Sequence, residues 1–92
     1  MEIWKYVLNT VDIQLIEIPK GGKILALQNQ NYSPCIWVLV NPKAEKEEVT
    51  FETFGTGHEI EDNYKGQYVG TYQQREGLLV FHVFVTKDSL NG

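Results

Sequence analysis

The sequence predicts an all-β chain, a compact β-sandwich or curled antiparallel sheet of about seven short strands with at most one short helical turn. Three observations predict it. Gly77 to Val85 and Cys35 to Val40 are short runs dense in β-branched and aromatic residues. Turn-forming Gly, Pro and Asn residues recur between the apolar runs at near-regular spacing. No segment combines the length and the repeat of a substantial helix.

Glu2 to Leu8 alternates, with Trp4, Tyr6 and Leu8 opposite Ile3, Lys5 and Val7, and reads as a first strand. Asn9 and Thr10 make a turn, although Val11 could extend the pairing. Ile13 to Ile18 is a second strand, broken by Pro19-Lys20-Gly21-Gly22, where Pro removes a donor and Gly accepts positive φ. Lys23 to Gln30 is a third, followed by a polar turn from Asn29 to Pro34. Cys35 to Val40 is a fourth. Asn41-Pro42 then suits the cap and first position of one helical turn. Glu45, Glu47 and Glu48 read as a solvated stretch. Val49 to Phe54 is a fifth strand, with Val49, Phe51 and Thr53 on one face, and runs into Gly55-Thr56-Gly57-His58. Glu59 to Gly66 reads as an exposed loop. Tyr68 to Gln73 is a sixth strand, and Arg75-Glu76-Gly77 turns it into the seventh, the clearest hairpin in the chain. From Thr86 on, a polar tail is expected to fray.

The last strand places Leu79, Phe81, Val83 and Val85 on one side and Val80, His82 and Phe84 on the other. Both sides are mostly apolar, as both are in Cys35 to Val40. Strands of this kind are covered on two faces. Either both sit centrally in a closed sandwich or barrel, or another copy of the chain covers what the chain itself leaves open, in a dimer or larger ring.

The 92 residues are expected to form one domain, residues 1–92, small enough that self-association is a plausible support. A single cysteine, Cys35, excludes an internal disulfide and a cysteine-based metal site, fits a reducing compartment, and reads as a small hydrophobe. No charged segment followed by an apolar one opens the chain, so no signal peptide is expected; no apolar run suits a bilayer span. The net charge of −4 opposes general nucleic-acid binding.

Gly55-Thr56-Gly57-His58 is the best candidate site. Two glycines allow close backbone approach and can turn N–H groups toward an anion, to which Thr56 adds a hydroxyl and His58 a donor. The bland alternative is a strand-ending turn with a surface histidine. Arg75, the only arginine, could clamp a phosphate or be solvated. His82 reads as a core or interface histidine unless it shares a cavity with His58. Trp37 heads the aromatics that could stack on a base or sugar, though most aromatics serve cores. The candidate ligand-binding set is therefore Gly55, Thr56, Gly57, His58, Arg75, His82 and Trp37. No catalytic arrangement, metal-ligand spacing or cofactor motif is present, so binding rather than catalysis is expected, with no cofactor.

Several stretches jointly carry a resemblance: Ile3-Trp4-Lys5-Tyr6, Ile18-Pro19-Lys20-Gly21, Ile24-Leu25-Ala26-Leu27-Gln28, Trp37-Val38-Leu39-Val40, Gly55-Thr56-Gly57-His58, Tyr68-Val69-Gly70-Thr71-Tyr72 and Leu79-Val80-Phe81-His82-Val83-Phe84. Over almost its whole length the chain resembles a family of small, uncharacterised proteins of tailed bacteriophages and prophages. The resemblance implies a phage protein at work in the host bacterial cytoplasm. By analogy with phage counter-defence proteins, the leading expectation is a homo-oligomer that sequesters a phosphate-bearing molecule, such as a nucleotide immune signal. The alternative is a protein–protein interaction module that inhibits a host protein or serves phage assembly.

Overall fold

A computed structural model describes residues 1–86. It contains seven strands: β1 (Glu2–Val7), β2 (Ile13–Pro19), β3 (Lys23–Gln30), β4 (Ser33–Val40), β5 (Lys46–Gly55), β6 (Gly66–Gln74) and β7 (Leu79–Thr86). They form two antiparallel sheets, ordered β1-β4-β3 and β2-β5-β7-β6. The all-β expectation holds, in its sandwich form. Among the described residues no helix is long and apolar enough to cross a membrane.

Residues directly opposite in an antiparallel pair share a face, so the register sorts every side chain. In the first sheet Trp4, Val38 and Ile24 form one inward row, and Tyr6, Ile36 and Leu27 the next. In the second, Phe51 lies beside Val85 and Thr53 beside Val83. These rows meet in a core of Leu8, Ile18, Ile36, Val38, Val40, Val49, Phe51, Tyr72, Val83 and Val85. The alternation read from the last strand holds, with Phe81, Val83 and Val85 inward and His82 and Phe84 outward. Cys35 is buried, its Sγ 3.5 Å from the Ser33 carbonyl oxygen, as a small hydrophobe would be.

Turns set the strand ends. Gln30 pairs with Ser33, leaving only Asn31 and Tyr32 to reverse the chain, both at positive φ (50° and 67°). That is the geometry that matches hairpin twist, and it lets β4 begin two residues before Cys35, inside the expected polar turn. The helical turn expected after Asn41 is absent. Asn41 Oδ1 accepts the Lys43 N–H at 3.0 Å and its carbonyl accepts the Ala44 N–H at 3.0 Å. This closes a short turn, and Lys46 enters β5 at once. Among the described residues the one 3-10 turn lies instead at Arg75–Gly77, in the β6–β7 hairpin. Thr86 belongs to β7, paired with Gly66; the rest of the expected fraying tail lies outside the described residues.

Two core and turn details yield expected outcomes. Thr53 is 8% exposed, and its Oγ1 has no hydrogen-bond partner among the described residues. Thr53→Val keeps the shape and removes the orphaned hydroxyl, raising stability by about 1 kcal/mol. In a chain of this size that is about 4–8 °C in Tm; a fall on thermal denaturation would mean that the hydroxyl is paired. Tyr32 bears a left-handed backbone that costs an L-residue about 1–2 kcal/mol. Tyr32→Gly, giving an Asn-Gly turn, is expected to raise Tm by a few degrees, and an unchanged or lower Tm would refute strain at this turn.

Candidate functional site

The outward face of the second sheet is where the chain gathers polar chemistry. β7 points Val80, His82 and Phe84 outward; β6 sets Thr71 beside His82 and Tyr68 beside Phe84, and β5 sets Phe54 on the other flank of His82. His82 Nε2 lies 2.7 Å from Thr56 Oγ1, and Nδ1 lies 3.0 Å from Thr71 Oγ1, which in turn lies 2.5 Å from the Tyr68 hydroxyl. Thr56 Oγ1 also reaches the Val80 carbonyl oxygen at 3.5 Å. Each hydroxyl can donate or accept, so the relay closes with either imidazole tautomer. It is a row of satisfied polar groups on an otherwise aromatic surface.

A loop explains the aromatic half. β6 is the edge strand, whereas β5 lies on the far side of β7, so the connection between them must cross β7. It lays Tyr64 over the sheet. Tyr64 meets Phe54 and Phe84 edge-on, with ring centroids 5.4 and 5.5 Å apart, and Tyr68 meets Phe84 at 5.6 Å. These are favourable aromatic geometries. The Tyr64 hydroxyl donates to Glu52 Oε1 at 2.7 Å. Burial, this hydrogen bond and the carboxylate charge all push the Tyr64 phenol well above its ordinary range. Residues 59–63 and 65 are exposed, as the loop expectation has it, and Tyr64 is the half-buried exception the polar composition does not single out. That it is the one aromatic of the segment is the signal the sequence offers.

Gly55 to His58 forms a tight turn. The Gly55 N–H donates to His58 Nδ1 at 3.2 Å, the His58 N–H to the Gly55 carbonyl at 3.1 Å, and the Thr56 N–H to the Val80 carbonyl at 3.1 Å. Three of the four backbone donors that an anion cradle would use are thus taken within the fold. Both glycines have structural reasons. A Cβ on Gly55 would sit 3.0 Å from the His58 ring, and Gly57 has φ of +92°. His58 is turned back on Gly55 while His82 holds Thr56 and Thr71, so each ring is committed to its own partners.

Arg75 is exposed in the hairpin turn at φ of 52°. Trp37 lies beside Lys5 on the outward face of the other sheet, so the whole sandwich separates it from His82. The structure therefore brings Thr56 together with His82 and leaves Trp37 apart. Among the described residues no three His, Cys, Asp or Glu side chains gather as metal ligands would.

The chain matches the family model described as "Domain of unknown function (DUF7352)" over residues 1–91 and belongs to that family. No curated protein and no solved structure matches it.

Tyr64 gives this face a pH signature. Its folded pKa is raised above the ordinary 10.0, as are those of Tyr6 and Tyr72 through burial. The folded state therefore holds these protons more tightly than the unfolded chain. Stability from this source is complete below pH 10 and is lost as pH rises above it. Denaturant unfolding at rising alkaline pH should show this loss, and Tyr64→Phe should make it shallower. An identical slope in the variant would show that Tyr64 does not carry the effect.

Proposed function

We propose that this member of the DUF7352 family is a non-enzymatic binding domain that acts through contact with other protein chains, first of all with copies of itself. One observation carries the reading. β4 buries Ile36, Val38 and Val40 completely on its inward side, yet its outward side is also apolar. There Leu39 lies beside Ile3 and the buried Cys35 beside Val7, with Trp37 between them in the next row, and Lys23 and Gln28 of β3 flank Leu39 and Cys35. Ile3 and Val7 are 58% and 54% exposed. The second sheet has a loop to cover its aromatic outer face; no described element crosses the first. A contiguous apolar face of this kind on a small chain favours a protein partner, and a two-fold copy places the same face on both sides of the contact. Lys5 fits such a contact, because its ammonium is already bonded to Gln30 Oε1 at 2.7 Å and its stem adds apolar area.

Sequestration of a phosphate-bearing molecule, such as a nucleotide signal, is the second reading. The Thr56–His82–Thr71 relay beside the exposed Tyr68 ring favours it. A ligand touching both Trp37 and His82 would have to sit between copies, since one chain holds them on opposite faces. The resemblance to small phage proteins supports the host bacterial cytoplasm as the workplace, and counter-defence, inhibition of a host protein or phage assembly as the role.

Sedimentation velocity at submillimolar concentration tests the association. The expected particle is at least twice the 10.6 kDa chain, and Trp37→Glu with Leu39→Lys should return it to a single chain with an unchanged circular dichroism spectrum. Wild-type protein that stays at one chain across the concentration range would end this proposal.

A further inference from the structure

At one end of the sandwich the two sheets part. A cavity of about 690 Å³ opens there, bounded by Lys20 to Gly22 of the β2–β3 turn, Lys23 and Ile24 of β3, Glu47 of β5, Gln67 to Val69 of β6 and Val85 of β7. Its size falls within the ordinary range of small-molecule sites, roughly 300–1,000 Å³. We propose that it binds a small amphipathic anion, a flat apolar body carrying a carboxylate or phosphate. It lies away from the outward face of β1-β4-β3 and shares only Tyr68 with the His82 relay.

The gap has a local cause. β3 and β6 are edge strands of opposing sheets, and each carries a bulge, between Ile24 and Ala26 and between Tyr68 and Gly70. A bulge bends its strand and adds twist. On one side of the two bulges the strands close tightly, and a Cβ on Gly70 would lie 2.9 Å from Leu27 Cβ. On the other side, toward Lys23 and Gln67, they leave the cavity. Bulges are favoured beside binding sites because they re-aim side chains and break pairing.

The lining divides as an amphipathic ligand would require. Ile24, Val69 and Val85 offer an apolar floor, with Val85 only 2% exposed. The rim carries two ammonium groups, Lys20 and Lys23, and one carboxylate, Glu47, and the Gln67 amide can donate or accept. Lys20 pairs with Glu45 at 3.7 Å, but both side chains are exposed (59% and 86%), so the pair is weak and Lys20 is able to turn to a ligand. Gly21 has φ of +80°, and a Cβ there would meet nothing within 4 Å, which leaves the mouth unobstructed. The lining itself carries two ammonium groups and one carboxylate, on a chain of net charge −4. The surrounding negative field disfavours a polyanion and suits a ligand with one or two charges.

Three probes that differ only in the head group test the site on the full chain: naphthyl phosphate, naphthoate and uncharged naphthol. Titration followed by two-dimensional amide NMR should move the signals of Gly21, Gly22, Lys23, Gln67 and Val69. At least one anion should bind about tenfold more tightly than naphthol, and the tighter of the two identifies the preferred head group. Lys20→Gln with Lys23→Gln, both on the exposed rim, should remove that preference and leave naphthol binding unchanged. Equal binding of all three probes, saturable binding by none, or shifts confined to Ile3, Trp37 and Leu39 would each overturn the proposal. Because the readout is residue by residue, failure here is separable from failure of the self-association reading.

Discussion

Alternation along β4 is the constraint from which the rest follows. A strand sends successive side chains to opposite faces, and β4 is apolar on both. Its inward residues, Ile36, Val38 and Val40, meet Phe51, Val83 and Val85 of the opposing sheet and complete one dry layer. The same backbone then necessarily turns Trp37 and Leu39 away from that layer. Since β4 sits between β1 and β3, its outward residues join Ile3 and Val7 in a continuous patch rather than standing as scattered exceptions. Scattered exposed apolar residues need no account; a patch does.

In the second sheet the interior strand β7 meets the same constraint with a different outcome. Its outward residues are covered in part by the chain itself, because the strand order forces the β5–β6 connection across it. Tyr64 is the side chain that exploits this crossing, closing an aromatic cluster and reaching Glu52. His82 is left on the same face between two hydroxyls, polar yet fully partnered. One sheet therefore supplies its own cover and the other does not. This asymmetry, rather than overall hydrophobicity, distinguishes the two faces as candidates for partners.

The Gly55–His58 turn shows that a glycine-rich cue can have structural reasons of its own. Glycines there admit the His58 ring and a positive φ, and three of the four backbone donors are taken up within the turn or by Val80 of β7. The other turn cue, Pro19-Lys20-Gly21-Gly22, reads in the sequence as a simple strand break. It gains chemical meaning only because two bulged edge strands part beside it.

Strand positions, the inward and outward sides of each strand, the β6–β7 hairpin and the all-β class are legible in the residues, because a period of two and the φ demands of turns are local properties. The excess of apolar strand surface is legible for the same reason. Which strands neighbour one another is not, since pairing between distant strands depends on long-range closure that leaves no local mark. Sheet order alone decided that Tyr64 would cover Phe84, that Trp37 and His82 would fall on opposite faces, and that the bulges of β3 and β6 would meet at one open end.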